Sequence, residues 1–310
     1  MTGAAPLAPS AAAGARGAPL SPVTMAGPAL LPAAVQDAQV SCWRGGQASR
    51  RSDWLAEEVP VALVFNGVSQ AVMMATPTEL DDFALGFGLT EGLLASAADL
   101  HDIETAVVDQ GIELRLTVSA RCFAALKQRR RTLAGRTGCG LCGSDSLDQV
   151  HRQLPRVPAT AVSGAALANA QRQLRRWQTV QQLTGASHAA AWCARDGTIG
   201  LLREDVGRHN ALDKLIGALV RSRADSADGF ITITSRASFE MVQKTAMAGV
   251  GLLAAVSAPT ALAVHTAQRC GLALAGFVRG DDFVAYTAPE RFGLTAVPLR
   301  GHEPLPQPEY

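Results

Sequence analysis

Two cysteines stand three positions apart in Arg136-Thr137-Gly138-Cys139-Gly140-Leu141-Cys142-Gly143, shortly after the basic run Arg129-Arg130-Arg131. Glycine has no side chain to screen a neighbouring thiol, and arginines favour thiolate over thiol, so Cys139 is the leading nucleophile. A second concentration of reactive groups is Arg203-Glu204-Asp205-Val206-Gly207-Arg208-His209-Asn210, between an apolar strand and an amphipathic helix. One helix cap does not need two acids, two arginines and a histidine together. Loops at the carboxyl ends of strands in open α/β sheets collect ligands, and a helix beginning near Asn210 aims free N–H groups at an anion. Thr234-Ser235-Arg236-Ala237-Ser238-Phe239-Glu240 and Ser257-Ala258-Pro259-Thr260 repeat the device after the next two strands. Three such loops converge on one sheet edge. Arginine's planar fork suits phosphate, so Arg208 and Arg236 are candidate phosphate anchors, with His209 or Asp205 managing a proton. His188, entering a strand, reads as structural. Phe277-Val278-Arg279-Gly280-Asp281-Asp282 reads as a turn between strands whose acids equally suit a guanine or pterin edge.

The elements that must hold these residues follow from periodicity. Asn66-Gly67 between Val61-Phe65 and Val68-Met74 has the composition of a two-residue hairpin turn, and Glu104-Val108 pairs with Ile112-Val118 through Gln110-Gly111. Thr76-Pro77-Thr78-Glu79 has capping-box spacing, predicting a helix over 77–89 with Leu80, Phe83, Ala84 and Phe87 on one face. Ser163 is placed to cap a long helix to about Gln182. Beyond it the order is strand 188–193, strand 198–202, helix 210–220, strand 230–234, helix 238–248, strand 252–256, helix 260–270 and strands near 272–277 and 283–286. Strands alternating with helices predict an α/β fold, a mixed sheet flanked by helices, after a smaller α+β subdomain that carries the cysteine loop. The expected divisions are a disordered Ala/Pro-rich tail (1–56), an N-terminal subdomain (57–150) and a C-terminal cofactor-binding subdomain (151–310).

Composition narrows the function. A 310-residue chain with 48% hydrophobic and 18% charged residues can bury a substantial core. Its formal net charge of +1 gives no global pull toward nucleic acid or anionic membranes, so any anion must be met by local donors. Six scattered cysteines, with one close pair, fit a reducing, cytoplasmic compartment; Cys122, Cys193 and Cys270 lie in apolar or helical stretches and read as buried and inert. The uncharged stretch 245–268 is interrupted by Gly249, Gly251, Pro259 and His265, and reads as a buried strand followed by a helix rather than a membrane span.

Together these segments resemble the FdhD family of formate dehydrogenase accessory sulfurtransferases, from about Glu57 to Phe292. The resemblance rests on Thr90-Glu91-Gly92, Cys139-Gly140-Leu141-Cys142-Gly143, the block from Glu204 to Lys214, Ser257-Ala258-Pro259-Thr260 and Gly276-Phe277. It implies a sulfur relay. A cysteine desulfurase loads a persulfide on Cys139, Cys142 assists or resolves it, and the sulfur passes to bis-molybdopterin guanine dinucleotide for formate dehydrogenase. Phe277 to Asp282 match the family's cofactor-binding segment. The resemblance further implies a cytidine deaminase-like C-terminal part and a homodimer.

Other classes share some of these features. A zinc-dependent deaminase uses a cysteine pair, a third ligand and a glutamate, but Gly138 replaces the expected proline and no His-x-Glu occurs. A disulfide oxidoreductase usually opens a helix with its cysteine pair, whereas Cys142 precedes Gly143 and a polar stretch. A non-catalytic chaperone for the molybdenum cofactor accommodates everything except the exposed cysteine pair.

Overall fold

The computed structural model describes residues 31–134 and 153–294; Cys139 and Cys142 lie outside them. Residues 31–56, placed in the tail by composition, form regular structure. A helical turn α1 (Leu31–Ala34) leads into β1 (Val35–Arg44) and β2 (Gln47–Ala56), an antiparallel pair. Gly45 and Gly46 close it with φ of 56° and 84°, the left-handed pair that a tight hairpin turn requires. The polar run from Gln47 to Asp53 carries no apolar period, so composition alone concealed a hairpin held by backbone pairing.

A four-stranded sheet follows, in the order β4-β3-β6-β5. The hairpin β3 (Val59–Phe65) and β4 (Val68–Ala75) turns at Asn66 and Gly67, both with positive φ, as their composition predicted. Helix α2 (Leu80–Thr90) packs beneath it, before β5 (Leu100–Val108) and β6 (Gly111–Val118). Helix α3 (Ala120–Ala134) comes next. Val61, Leu63, Phe65, Phe83, Phe87, Leu114 and Leu116 form the core of this layer.

The capping box does not form. The residue before α2 is Glu79, in a left-handed conformation with φ 46° and no side-chain cap. Thr76 is engaged elsewhere: its N–H donates to Asp205 Oδ2 (3.0 Å), its hydroxyl accepts from Val206 N–H (3.2 Å) and its carbonyl accepts from Lys214 Nζ (2.8 Å).

The second sheet has six strands in the order β12-β11-β10-β9-β7-β8. Its elements run α4 (Gly164–Trp177), α5 (Thr179–Thr184), β7 (His188–Ala194), β8 (Ile199–Asp205), α6 (Arg208–Ser222), β9 (Gly229–Ile233), α7 (Phe239–Met247), β10 (Leu252–Ala255), α8 (Ala261–Cys270), β11 (Ala273–Arg279) and β12 (Asp282–Ala285). Ser163 does cap α4, accepting from Ala166 N–H at 3.2 Å. The expected single helix to Gln182 breaks at Gln178, because the Glu204 carboxylate accepts from the N–H groups of Val180 and Gln181 (2.9 Å each) and starts α5 afresh. Against α5 rests β2.

Strands β9, β10 and β11 are parallel, whereas β7 is antiparallel to both β8 and β9. The carboxyl ends of β8, β9, β10 and β11 therefore share one edge with the start of β7. Helices α6, α7 and α8 cover one face around Ile231, Ile233, Leu253 and Leu274; α4 covers the other around Ala191, Phe230 and Leu252. The two sheets meet where α2 crosses α6. A Cβ at Gly86 would stand 1.8 Å from the Asp213 carbonyl oxygen, and one at Gly217 would stand 1.9 Å from that of Asp82. Only glycine permits this approach.

Candidate functional site

The three polar loops do converge. Ala237, between β9 and α7, forms a parallel bridge with Pro259, between β10 and α8; its N–H donates to Ala258 O (3.2 Å) and its carbonyl accepts from Thr260 N–H (3.0 Å). At the end of β11, Phe277 N–H donates to Ser257 O (3.3 Å) and Arg279 Nε to Val256 O (3.3 Å). His209, in the first turn of α6, brings Nε2 to 2.8 Å from Glu240 Oε2 in the first turn of α7. The result is a mouth between the carboxyl edge of the sheet and the starts of α6 and α7.

The dense block from Arg203 to Asn210 divides its labour. Arg203 points to the α2 side, donating through Nε and Nη2 to Asp82 Oδ2 at 2.9 and 2.7 Å. Glu204 is the cap of α5 and also accepts from Ser187 Oγ (2.8 Å); burial pushes its carboxyl up, and these hydrogen bonds pull it back. Asp205 is fully buried. It pairs with Lys214 Nζ (2.7 Å), itself without solvent contact, and accepts from Thr76 N–H, Gly207 N–H (2.8 Å) and Asn210 Nδ2 (3.1 Å). With its acceptor positions filled, Asp205 holds the loop. Arg208 and His209 are left for the mouth.

A buried cluster stands one helical turn behind His209 and Glu240. Lys244 Nζ donates to both Asp213 oxygens (2.9 Å each), to Glu91 Oε1 (2.7 Å) and to Thr90 Oγ1 (3.0 Å). Residues four apart share a helix face, so His209 and Asp213 on α6 meet Glu240 and Lys244 on α7 as two rungs. Each rung sets a basic side chain against a carboxylate, in opposite order on the two helices. The Glu240 carboxyl is held below the ordinary glutamate value, first by His209 and also by Lys244 and Arg208, against the opposing effect of burial.

Six buried side-chain polar atoms lack a hydrogen-bond partner among the described residues, and four belong to this neighbourhood: Arg208 Nε, His209 Nε2, Asn210 Oδ1 and Ser238 Oγ. His209 Nε2 is close to Glu240 yet off the line of a hydrogen bond. Buried polar groups are normally satisfied, so their concentration at the starts of two helices marks a place built to meet a polar ligand.

The remaining candidates fall in different places. Arg236 is exposed in the loop before α7. Phe277 adopts a left-handed backbone with φ 52°, an outlier for a bulky residue, and Arg279 lies over its ring at 5.9 Å. Val278 is 1% exposed and packs in the core beside α4, so its side chain faces away. Gly280 turns the chain with φ 56°. Asp281 pairs with Arg172 of α4 at 3.2 Å, and Asp282 is exposed at the start of β12. Cys139 and Cys142 are outside the described residues. Burial pushes the thiols of Cys122, Cys193 and Cys270 up, in keeping with inert core cysteines. In the sequence reading Glu240 lay in the polar loop before α7 without a role of its own, and it is the residue that meets His209. The available signal for it was its place in the first turn of α7.

Among the described residues no helix is long and apolar enough to cross a membrane. The family model described as the FdhD/NarQ family matches residues 56–293. The sulfur carrier protein FdhD of Variovorax paradoxus is 58% identical over 82% of this chain and 92% of its own length. That of Cupriavidus necator is 53% identical over 86% and 96%. The crystal structure of a candidate formate dehydrogenase accessory protein from Desulfotalea psychrophila has the same fold, with a TM-score of 0.66 at 22% identity, covering 83% of this chain and 99% of that one. On a family match that spans both larger sheets, and on relatives more than half identical, the chain belongs to the FdhD/NarQ family.

Proposed function

We propose that this chain is a sulfur carrier serving formate dehydrogenase, taking persulfide sulfur from a cysteine desulfurase and passing it to bis-molybdopterin guanine dinucleotide. The names of its relatives support the carrier role. The observation that carries the acceptor side is the mouth, where Arg208, His209, Asn210 and Ser238 keep buried polar atoms without partners among the described residues. Arg208 and Arg236 would meet phosphates, and Phe277, with Arg279 beside its ring, offers a flat face to a guanine or pterin. Val278 contributes through its backbone alone. We further read the order β8-β7-β9-β10-β11 as the deaminase-like arrangement, and the working unit as a cytoplasmic homodimer.

In the loading step the Cys139 thiolate attacks the outer sulfur of the donor's persulfide. The donor S–S bond breaks, its cysteine leaves as thiolate, and Cys139 holds the sulfur. Cys142 then assists or resolves the transfer. Incubation with a cysteine desulfurase and cysteine, followed by mass spectrometry without reductant, tests this reading. A one-sulfur gain on Cys139 that thiol removes is expected. No gain on either cysteine would sink the carrier role and leave a cofactor-holding protein. Cys139→Ala should abolish transfer while nucleotide binding persists.

A further inference from the structure

His188 opens β7 opposite Asp205, at the edge where the mouth forms. Along β7, Ala190 and Trp192 face the layer of α6 and α7, whereas Ala191 and Cys193 face α4. Side chains alternate along a strand, so His188 lies on the α6 side, beneath the helix start that carries Arg208 and His209. It is half-buried, and no protein group among the described residues hydrogen-bonds its ring. Its ring nitrogens are not among the buried atoms without partners, so they open to solvent, where a ligand can reach them.

The charges around it are unequal. Burial, then Arg208, then His209 hold the imidazole below the ordinary histidine range, and Asp205 opposes them from β8. Asp205 is already paired with Lys214. Glu240 of α7 lies against His209, and Arg236 stands on the loop before α7. In the free mouth His188 is therefore a neutral imidazole close to the Arg208 guanidinium.

We infer that His188 is a ligand-facing residue of the mouth and takes up a proton from solvent when a phosphate ester binds beside Arg208. This rests on the reading that the mouth receives nucleotide phosphates. An oxyanion at Arg208 offsets the positive charge that helps burial keep the ring neutral and adds negative charge of its own. The proton passes from water or buffer to a ring nitrogen, and no other bond changes. Because the bound state holds more protons than the free state, affinity falls as pH rises, by up to about tenfold per pH unit for one proton.

The test uses the full chain with guanosine diphosphate as probe, titrated calorimetrically in buffers of different ionisation enthalpy. At about pH 7.5 the terminal phosphate is already ionised, so any proton gained belongs to the protein. Uptake approaching about one proton per nucleotide is expected. His188→Gln should still bind, more weakly, with uptake lost and the pH profile flattened; His188→Asn is the second variant. Binding by the unsubstituted chain without uptake overturns the inference and leaves the mouth as a nucleotide site. So does full uptake in folded His188 variants. No binding at any pH overturns the inference and the mouth reading together, and the persulfide assay then judges the carrier role separately.

Discussion

Gly86→Ala sets helix propensity against close packing. In the middle of a helix alanine is favoured over glycine by about 1 kcal/mol, so local reasoning predicts a gain. The crossing of α2 and α6 predicts a loss. The new Cβ would stand 1.8 Å from the Asp213 carbonyl oxygen and 2.9 Å from the Gly217 nitrogen, both backbone atoms that no rotamer change can move. Carbon–oxygen contacts settle near about 3.3 Å, so the helices would have to part by about 1.5 Å. Overpacking of this kind costs about 1–3 kcal/mol. Parting also pulls Asp213 from Thr90 Oγ1 (2.7 Å) and Lys244 Nζ (2.9 Å), and weakening a buried charge-assisted hydrogen bond costs about 1.5–3 kcal/mol. Set against the propensity gain, the net loss is about 1.5–5 kcal/mol. Urea denaturation followed by far-ultraviolet circular dichroism reads it directly, and the melting temperature should fall by at least about 4 °C. Gly217→Ala, whose Cβ meets Asp82 O at 1.9 Å, should behave alike, and the double variant should lose less than the sum because one separation relieves both. A Gly86→Ala protein as stable as the parent, or more so, would refute the helix contact.

Three further outcomes follow from the same geometry. Lys214→Met leaves Asp205 buried without its cation, and a loss of about 3–5 kcal/mol in urea titrations is expected; an unchanged midpoint would show that the pair is dispensable. Glu240 is held below its ordinary value by His209, so its contribution to stability is complete above about pH 4.5 and is lost as pH falls through its folded value. Glu240→Gln should therefore flatten the acid limb of the stability profile, and an identical acid limb would contradict the His209–Glu240 contact. Glu79→Gly relieves a left-handed backbone worth about 1–2 kcal/mol and incurs a comparable entropy cost. Thermal melts should show near-neutrality, whereas a clear loss would restore the capping box.

The alternation of β and α elements, the Asn66-Gly67 hairpin and the polar loops after β8, β9 and β10 were legible because periodicity and turn chemistry are local properties. Convergence of those loops followed from the same order, since parallel strands put their carboxyl ends on one edge. The role of each residue within them was not legible. Thr76 and Asp205 meet across 129 positions, and that bond displaced the local cap. Lys214 and Lys244 occupy helix positions where lysine ordinarily faces water, yet both are buried because carboxylates from other elements neutralise them. Glu204 divides what looked like one helix, and the β1–β2 hairpin is held by backbone pairing that composition does not record. Residue type and spacing thus marked where chemistry concentrates along this chain. Which of those groups face a ligand, and which neutralise one another inside, was decided by long-range desolvation and pairing, energies that exist only once distant segments pack.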